Sequence, residues 1–406
     1  MDALTTPSNW QRVRLGDICE IKRGASPRPI ENPKWFCANS NVGWVRISDI
    51  SKNSRFLYKT AQKLSKKGIE KSRFIKQNSL IMSMCATIGK PIITKIDTCI
   101  HDGFVVFENP KIDLNYLYYF LCYIEKEWLE SGQQGSQVNL NVDLIKNKEV
   151  FYPKDLNEQI AIANILSDVD RYLYSLDALI LKKESVKKAL RIKMLNQILA
   201  SNGVEFRELG DIILSLKTGL NPRSFFKLNT PNANNYYVTI RELEDYTIKF
   251  THQTDRIDDN ALFLCLKRSN LEKDDILFSG TGTIGKVSII EKNPNNWAIK
   301  EGIYSIKPNK KIVFPRFLMF CLESSNIQND IKNKSFGGIV KSIPMNDLQQ
   351  IQIPLPPLNE QIAIANILSD LDSEIISLKN KKRQFDNIKK ALNHDLMSAK
   401  IRVLKK

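Results

Sequence analysis

Residues 278–286, Phe-Ser-Gly-Thr-Gly-Thr-Ile-Gly-Lys, have the types and spacing of a loop that binds a nucleotide or a cofactor. The glycines at 280, 282 and 285 give the Gly-x-Gly-x-x-Gly spacing of a dinucleotide-binding loop, and with Lys286 they give most of a Walker A loop. Phe278 begins a Phe-x-Gly-x-Gly pattern that also occurs in methyltransferase cofactor sites. A phosphate-binding loop places its backbone N–H groups around the phosphate at the start of a helix.

The residues around this segment argue against a cofactor site. Val287-Ser-Ile-Ile290 predicts a strand where a phosphate-binding loop must open a helix. Val287 also stands where a Walker A loop needs Ser or Thr to hold magnesium. The chain lacks the Asp/Asn-Pro-Pro-Tyr/Phe motif with which amino-methyltransferases hold adenine, and no Asp…Glu-x-Lys cluster of a nuclease is evident. We therefore predict no catalytic residue in this chain.

Histidine and cysteine are too scattered to indicate a metal site or a nucleophile. His101, His252 and His394 are isolated in sequence, so their spacing predicts no zinc site. The 7 cysteines form no Cys-x-x-Cys pair, and their mostly apolar neighbours predict buried, reduced thiols. We expect no structural metal and no cofactor bound by this chain.

The balance of charge and apolar residues indicates a folded protein with a polyanionic partner. The 406 residues include 60 Lys and Arg against 44 Asp and Glu, a formal net charge of +16. A hydrophobic content of 42% is enough for buried cores and excludes general disorder. Apolar runs such as Ile160–Leu166 are far shorter than the ~20 residues of a membrane span, and Met1–Gly16 has no apolar signal core. We expect a soluble, cytoplasmic protein without membrane contact.

The strongest signal in the chain is an internal repeat. Leu156–Asp168, Leu-Asn-Glu-Gln-Ile-Ala-Ile-Ala-Asn-Ile-Leu-Ser-Asp, recurs without a change as Leu358–Asp370, 202 residues later. Lys-Lys-Ala-Leu at 187–190 returns at 389–392 with the same offset, and Thr-Ile-Gly-Lys at 87–90 returns at 283–286. The chain is therefore two halves, each a variable block followed by a more constant block.

The constant blocks are predicted to be long helices. In the first copy apolar residues recur three and four apart at Ile162, Ile165, Val169, Tyr172, Leu176, Leu179, Val186 and Leu190, the 3.5-residue period of a coiled coil. The second copy repeats the pattern with Phe385 where the first has Lys183. A helix from Asn157 to about Ala200 is roughly 65 Å long at ~1.5 Å per residue.

The variable blocks combine short β-branched and aromatic runs with one amphipathic helix each, as in independent α+β domains. We predict an α/β (α+β) protein in which two globular domains are separated by two long antiparallel helices in a coiled coil. The halves are then related by a pseudo-two-fold axis, which suits an asymmetric, two-part target. The predicted boundaries are residues 1–155 and 203–356 for the globular domains, and 156–202 and 357–406 for the helical regions.

These residues resemble the specificity subunit of type I restriction-modification systems over essentially the whole chain. In that family a proline precedes Glu-Gln at the start of each constant helix, as Pro153 and Pro357 do here. The resemblance implies that each variable block is a target recognition domain that reads half of a bipartite DNA site, and that the helices fix the spacer. It also implies two docked adenine methyltransferase subunits and two restriction and translocase subunits. S-adenosylmethionine, ATP and magnesium would then belong to these partners.

Polar and basic loop residues are the candidates for contact with double-stranded DNA, because Arg suits guanine while Asn and Gln suit adenine. The glycine-rich turn has three interpretations: a cofactor loop, a β-turn with structural glycines, or a turn that presents Lys90 or Lys286 to DNA. For each candidate a solvated loop residue is the alternative. The predicted set is Arg46, Ser48, Lys90, Gln133, Gln134, Gln137, Asn139, Thr239, Arg241, Thr281, Thr283, Lys286 and Lys341.

Polar residues identical in both constant blocks are the candidates for partner binding. Helix capping would explain Glu158, but it cannot explain Asn164 or Asp168, which lie farther into the helix. Contacts to the other helix or to a methyltransferase are the two alternatives. The predicted set is Glu158, Gln159, Asn164, Asp168, Glu360, Gln361, Asn366 and Asp370.

Three functions remain to be distinguished. The first is a non-catalytic subunit that gives a methylation and restriction complex its DNA specificity. The second is an orphan or regulatory subunit that occupies DNA or competes for partners. The third, a fused methyltransferase, is disfavoured by the missing catalytic motifs.

Overall fold

The computed structural model describes residues 7–51, 55–130, 140–200, 204–222, 225–338 and 340–403. The chain divides into two compact units, Met1–Leu176 with Lys381–Lys406, and Asp177–Asn380. Each unit contains a β-rich block and part of each of two long helices. The mixed α/β class predicted from the sequence is confirmed.

The first block contains short strands and short helices and leads into a long helix. Its strands are β1 (Trp10–Arg14), β2 (Glu20–Arg23), β3 (Gly43–Val45), β4 (Phe56–Leu57), β5 (Gln62–Lys63), β6 (Arg73–Ile75), β7 (Leu80–Ser83), β8 (Pro91–Thr94), β9 (Thr98–Ile100), β10 (Phe104–Glu108) and β11 (Glu149–Pro153). Its helices, with the long helix that follows, are α1 (Leu15–Ile18), α2 (Ile47–Ser51), α3 (Lys66–Glu70), α4 (Leu114–Tyr123), α5 (Glu125–Glu130), α6 (Val142–Asn147) and α7 (Leu156–Ala200).

The second block repeats this plan. Its strands are β12 (Glu205–Glu208), β13 (Ile213–Thr218), β14 (Asn235–Val238), β15 (Leu243–Glu244), β16 (Thr247–Ile248), β17 (Arg256–Ile257), β18 (Ile276–Ser279), β19 (Val287–Ile289), β20 (Trp297–Ile299), β21 (Ile303–Pro308) and β22 (Gln352–Leu355). Its helices, with the second long helix, are α8 (Asp259–Arg268), α9 (Pro315–Leu322), α10 (Ser325–Asn333), α11 (Met345–Gln349) and α12 (Leu358–Met397).

The first block is built on two sheets with strand orders β2-β10-β7-β8-β4 and β5-β3-β9-β6. β1 pairs antiparallel with β11, with Trp10 opposite Pro153, so the strand that precedes α7 is anchored to the start of the block. Residues of α4, among them Tyr116 and Leu117, are fully buried in the main core of this unit. Leu396 and Met397, at the end of α12, complete the same core.

The second block has the corresponding sheets, β13-β21-β18-β19 and β17-β14-β20, with the pair β12-β22 before the long helix. Both blocks contain an equivalent parallel pair, β3 with β9 and β14 with β20, and the first block has a second one, β4 with β8. The main core contains buried residues of α9 such as Phe317 and Leu318 together with Ala365 and Leu368 of α12. The same topology has therefore formed twice from divergent sequences.

Within each unit, the parts of α7 and α12 run antiparallel. In the first unit the Tyr172 and Phe385 rings are 4.5 Å apart, and Asp170 pairs with Lys389 at 2.5 Å. In the second unit Lys183 pairs with Glu374 at 2.8 Å, and Lys187 with Asp372 at 2.5 Å. The numbers rise along one helix as they fall along the other, which is the antiparallel order that the sequence predicted.

The buried seam of α7 differs by one residue from the predicted pattern. Leu173 and Ile180 are buried, whereas Leu179 and Val186 are 38% and 39% exposed. Lys187 is only 8% exposed and takes the buried place that Val186 was predicted to fill. The helix turns this lysine inward because Asp372 neutralises its charge.

Candidate nucleic-acid interface and helix junctions

The glycine-rich segment of the second block is a turn between two antiparallel strands. β18 ends at Ser279 and β19 begins at Val287, so no helix follows the glycines and the predicted strand is confirmed. Gly282 and Gly285 have φ of +81° and +90°, which favour glycine. The Ser279 hydroxyl accepts from the Lys286 backbone N–H at 2.8 Å and donates to the Thr283 carbonyl. This geometry is that of a β-hairpin loop with structural glycines rather than of a phosphate-binding loop.

Three loops of the second block meet at this turn. The Lys286 ammonium donates to the Ile240 carbonyl at 3.1 Å, which joins the turn to the loop that carries Thr239 and Arg241. On its other side the Gly282 N–H donates to the Lys341 carbonyl at 2.8 Å, and the Thr281 hydroxyl lies 3.2 Å from that of Ser342. The candidates of the second block, Thr239, Arg241, Thr281, Thr283, Lys286 and Lys341, are therefore carried by neighbouring loops.

Two of these candidates are held by side-chain contacts. Thr239 begins a short 3-10 turn and forms a capping box with Glu242, in which the Thr239 N–H and hydroxyl both donate to the carboxylate. The exposed Arg241 guanidinium donates to Asp255 at 2.7 Å. A guanidinium held in this way is presented to solvent in a restricted orientation.

The candidates of the first block lie on separate elements. Arg46, just before α2, and Ser48, within it, are exposed, and the Arg46 guanidinium donates to Gln62 at 3.1 Å. Lys90 is half-buried in the turn between β7 and β8, the counterpart of the turn that ends at Lys286. The remaining candidates, Gln133, Gln134, Gln137 and Asn139, lie outside the described residues.

An arginine cluster in the first block was not predicted. Asp102 accepts from Arg28 at 2.8 Å, and the Arg23 guanidinium donates to the Asp102 carbonyl at 2.7 Å. The Arg73 guanidinium donates in turn to the Arg23 carbonyl at 2.7 Å. Burial lowers the pKa of the neighbouring His101, so this imidazole adds no positive charge at neutral pH. Arg73 and Asp102 are far from Arg23 and Arg28 in sequence, and no local pattern identifies the cluster.

A second unpredicted feature is an aromatic stack in the second block. The rings of Tyr236 and Phe250 stack at 4.4 Å, and the Arg256 guanidinium lies 4.6 Å from the centre of the Tyr236 ring. Phe250 is 38% exposed. Exposed aromatic rings with a stacked guanidinium are typical of surfaces that contact nucleic-acid bases.

Two of the predicted partner-binding residues are buried. Gln159 is 2% exposed, and its side chain accepts from the Asp113 N–H and donates to the Pro153 carbonyl, both at 2.8 Å. Gln361 is 1% exposed, and its side chain accepts from the Phe314 N–H at 2.8 Å and donates to the Pro356 carbonyl at 2.9 Å. Because both side chains are buried and hydrogen-bonded within the protein, we leave these glutamines out of the partner-binding set proposed below.

The other polar residues of the repeat lie at the surface or near it. Glu158 is partly buried and accepts from Asn9 at 2.9 Å and from the Trp10 indole at 3.2 Å, so it secures the start of the block. Asp168 pairs with Arg171, one turn along α7. The residues of the set that are exposed are Asn164, Asp168, Glu360, Asn366 and Asp370.

The described residues contain neither a cluster of metal-binding side chains nor a helix that could span a membrane. Among them, no group of three or more His, Cys, Asp and Glu could hold a metal ion. No described helix is long and apolar enough to cross a membrane. Of the cysteines, Cys19, Cys99, Cys265 and Cys321 are buried as predicted, whereas Cys37 is exposed.

Comparison with known proteins gives this arrangement a family. The family model for the type I restriction modification DNA specificity domain matches residues 7–183 and again residues 201–385. A relative described as a type I restriction enzyme MjaX specificity subunit, from Methanocaldococcus jannaschii, is 27% identical over 98% of this chain and 95% of its own length.

Two solved structures have the same fold. The crystal structure of the type I restriction-modification system S subunit from M. genitalium gives a TM-score of 0.61 at 16% identity, over 97% of each chain. A chain from a structure of type I restriction-modification complex assembly and conformational transition gives 0.55 at 15% identity, over 97% of this chain and 98% of that one.

The chain belongs to the family of type I restriction modification DNA specificity domains, of which it carries two copies. It is therefore a specificity subunit with two DNA-recognition domains, and specificity subunits are the non-catalytic components of type I restriction-modification systems.

Proposed function

We propose that this chain reads a bipartite, asymmetric DNA site for a type I restriction-modification complex. Residues 1–155 and 203–356 each recognise one half of the site in double-stranded DNA. The helical regions, 156–202 and 357–406, set the spacer between the half-sites and dock two adenine methyltransferase subunits. Two restriction and translocase subunits join this core. Both enzymatic activities, with S-adenosylmethionine, ATP and magnesium, belong to these partners, and the complex acts in the cytoplasm, where its DNA is.

The observation that carries this proposal is the contrast between the two copies. The fold of the recognition domain and the thirteen residues from Leu156 are repeated, whereas the loop side chains differ. The first domain has Arg46 and Ser48 where the second has Thr239 and Arg241. Different hydrogen-bonding groups on one scaffold are expected to read different bases, because each base pair presents its own pattern of donors and acceptors in the major groove.

Charge supports DNA as the ligand. The net charge of +16 favours association with a phosphate backbone, which supplies much of the affinity of DNA-binding proteins without giving sequence information. The DNA-contacting set comprises the candidates named above, with Arg28, Arg73, Tyr236 and Arg256 added from the structure. Two linked domains that each bind a half-site weakly bind the whole site more tightly through effective concentration.

For methyltransferase docking we propose a surface that is identical in the two copies. In α7, Leu156 and Ile160 are 51% and 38% exposed and are followed at the same four-residue spacing by Asn164 and Asp168. In α12 the equivalents, Leu358, Ile362, Asn366 and Asp370, are exposed as well. We call these two sets the repeat stripes. Exposed apolar residues flanked by polar ones are typical of protein interfaces, and two equal stripes suit two equal partners.

The experiment is genome-wide mapping of N6-methyladenine by single-molecule sequencing, in the host and in a strain that lacks this gene. We expect a split motif, with one methylated adenine per strand, to disappear in the deletion and to return with the wild-type gene. A deletion strain complemented with the I160D and I362D double variant is the matched comparison, because its recognition loops are intact. We expect this strain to remain without the motif, since its docking surface for the methyltransferase is changed.

The outcomes separate the alternatives. Loss of one split motif supports the proposal and identifies the target directly. Loss of an unsplit motif would contradict the recognition of a bipartite site by two domains. An unchanged methylome, together with DNA binding by the purified chain, would favour an orphan or regulatory subunit.

A further inference from the structure

In each unit the two long helices form one ion pair at repeat-equivalent positions, partly exposed in the first unit and largely shielded from solvent in the second. Asp170 of α7 pairs with Lys389 of α12 in the first unit, and Asp372 of α12 pairs with Lys187 of α7 in the second, each at 2.5 Å. Asp170 and Asp372, and Lys187 and Lys389, are each 202 residues apart. We call the surroundings of these pairs the first and the second junction, because side chains of the recognition domain reach the helices there.

Arg55 and Tyr246 occupy the same backbone position in the two domains. The Ile93 N–H donates to the Arg55 carbonyl at 2.9 Å, and the Ile289 N–H donates to the Tyr246 carbonyl at the same distance. Ile93 and Ile289 are equivalent residues of β8 and β19. The two domains therefore insert a different side chain, guanidinium or phenol, at one point of their common fold.

At the first junction the domain supplies a buried cation. Arg55 is 6% exposed, and its guanidinium donates to the Tyr119 hydroxyl at 2.9 Å, to Ser167 at 2.6 Å and to Asn115 at 2.6 Å. The Tyr119 hydroxyl donates in turn to Asp170 at 2.7 Å. Arg55 is thus connected to the helix ion pair through one tyrosine.

At the second junction the domain supplies an anion instead. The Tyr246 hydroxyl donates to Glu323 at 2.7 Å and accepts from Lys187 at 2.7 Å. The other oxygen of Glu323 pairs with Arg191 of α7 at 2.6 Å. The cation that matches Glu323 therefore comes from the helix rather than from the domain.

Neither residue of the Arg191–Glu323 ion pair has a charged equivalent at the first junction. Arg191 corresponds to Asn393 by the 202-residue offset. Asp113 and Phe314 each donate a backbone N–H to the equivalent glutamines 159 and 361, so Glu323 of the second domain corresponds to Cys122 of the first. The first junction therefore has neutral Asn393 and Cys122 at the positions of Arg191 and Glu323, so its helix lacks the cation that would have no carboxylate there.

We infer that each recognition domain is electrostatically complementary to its own helical segment, and not to that of the other domain, through the charges of these junctions. The first domain at the second junction would bring Arg55 beside Lys187 and Arg191. The two helix carboxylates that line this site are already paired, Asp372 with Lys187 and Glu184 with Lys379. A charge without a partner in a partly buried site is strongly destabilising. The mismatch would be electrostatic rather than steric, because the second junction borders a cavity of about 400 Å³ lined by Lys187, Arg191, Tyr246, Glu323 and Asp372, among others.

The test is a full-length chain in which residues 203–356 are replaced by a second copy of residues 9–154. We expect its second unit to unfold on the order of 5 °C or more below that of the parent. Arg191→Asn, which reproduces the residue at 393, should raise the unfolding temperature of this chain and lower that of the parent. Lys193→Asn, an equal loss of charge at an exposed position of α7, should do neither.

The opposite effects of Arg191→Asn on the two unfolding temperatures distinguish electrostatic complementarity from a general structural role of Arg191. A general structural role would make Arg191→Asn destabilising in both chains. The inference fails if Arg191→Asn helps the domain-duplicated chain no more than Lys193→Asn does. A double-mutant cycle in the parent decides the matter if the duplicated chain does not fold. Arg191→Asn and Glu323→Cys together should then cost clearly less than the sum of the single changes, and simple additivity would overturn the inference.

Discussion

The side-chain oxygen of Gln159, in the first turn of α7, lies 2.8 Å from the backbone nitrogen of Asp113, the residue that caps α4. The amide nitrogen of the same side chain donates to the Pro153 carbonyl at the end of β11. One amide therefore fixes a long helix to a helix and a strand of its recognition domain. Gln361 repeats the arrangement in the second unit. These glutamines are internal clamps of the fold.

Replacing either clamp with an apolar residue is expected to destabilise its own unit. Gln159→Leu removes the partners of a backbone N–H and a carbonyl, at a cost of about 2 to 4 kcal/mol. Chemical denaturation of the purified chain measures the loss. Asn164→Leu, at an exposed position of α7, is the control and should change stability by less than about 0.5 kcal/mol. Equal effects of the two changes would contradict the clamp.

The glycines of the turn between β18 and β19 should differ in their tolerance of alanine. A Cβ at Gly282 meets nothing within 4 Å, so Gly282→Ala should cost about 1 kcal/mol for its positive φ alone. A Cβ at Gly285 would lie 2.2 Å from the Gln328 side-chain oxygen, so Gly285→Ala should cost more. Gly338→Ala, with open space around it, is the control for thermal unfolding. A smaller loss for Gly285→Ala than for Gly282→Ala would contradict this geometry.

A buried carboxyl should give the second unit a measurable dependence on pH. Burial raises the pKa of Asp275 from 3.8 to about 6. Between these values the folded state holds a proton that the unfolded state has lost, so the stabilisation is full below about pH 4 and is lost as the pH rises through about 6. The unfolding free energy of the wild type relative to Asp275→Asn should therefore rise by up to ~3 kcal/mol from pH 7 to pH 4.

Asp330→Asn controls for the loss of one carboxyl, since Asp330 is exposed on α10. Its difference from the wild type should change much less over the same range of pH. A difference for Asp275→Asn that stays constant with pH would show that the buried carboxyl does not titrate as expected.

Two substitutions in the loops of the second recognition domain should distinguish residues that set sequence preference from residues that contribute to affinity alone. If Arg241 contacts a base, Arg241→Ala should lower affinity for the mapped site by about 1 to 3 kcal/mol and relax the preference at one position of one half-site. If Lys341 contacts a phosphate, Lys341→Ala should weaken binding to all sequences and lower the salt slope by about 1. Binding of the assembled complex to site and mismatched duplexes measures both, with the exposed Lys311→Ala as the control. An unchanged sequence preference in Arg241→Ala would remove this residue from the recognition set.

The repeat stripes should be required for assembly and not for folding. Ile160→Asp with Ile362→Asp places charge on both stripes, so the purified chain should no longer retain the methyltransferase subunit on a size-exclusion column. Its thermal unfolding should remain close to that of the wild type, because both side chains are exposed. Leu181→Asp, on an apolar residue that is 64% exposed outside the stripes, should leave assembly intact. Retention by the stripe variant would rule out this surface.

Local features of the sequence predicted the long helices and the turn at 280–286. An unchanged thirteen-residue repeat and the spacing of apolar residues are visible without tertiary information. The seam was misplaced from Leu179 onward because the pattern counted apolar residues alone. Lys187 belongs to the buried side since Asp372, 185 positions away in the chain, neutralises it.

Buried polar residues were the part of the structure that the sequence indicated least. Gln159 and Gln361 have the sequence context of a helix start, where polar residues are usually solvated, and their burial depends on backbone groups of another element. Arg55 gives no sequence signal at all, because Tyr119, Ser167 and Asn115 surround it only after folding. Long-range hydrogen bonds of this kind cannot be inferred from spacing along one chain.

The first compact unit is made from both ends of the chain, Met1–Leu176 and Lys381–Lys406. Its core includes Leu396 and Met397, which leave the ribosome after the whole of the second unit has been synthesised. At about 5 to 20 residues per second, synthesis of the intervening segment takes on the order of 10 to 40 s. The recognition domain that is translated first must wait for the last helix, and the one translated second completes its core earlier.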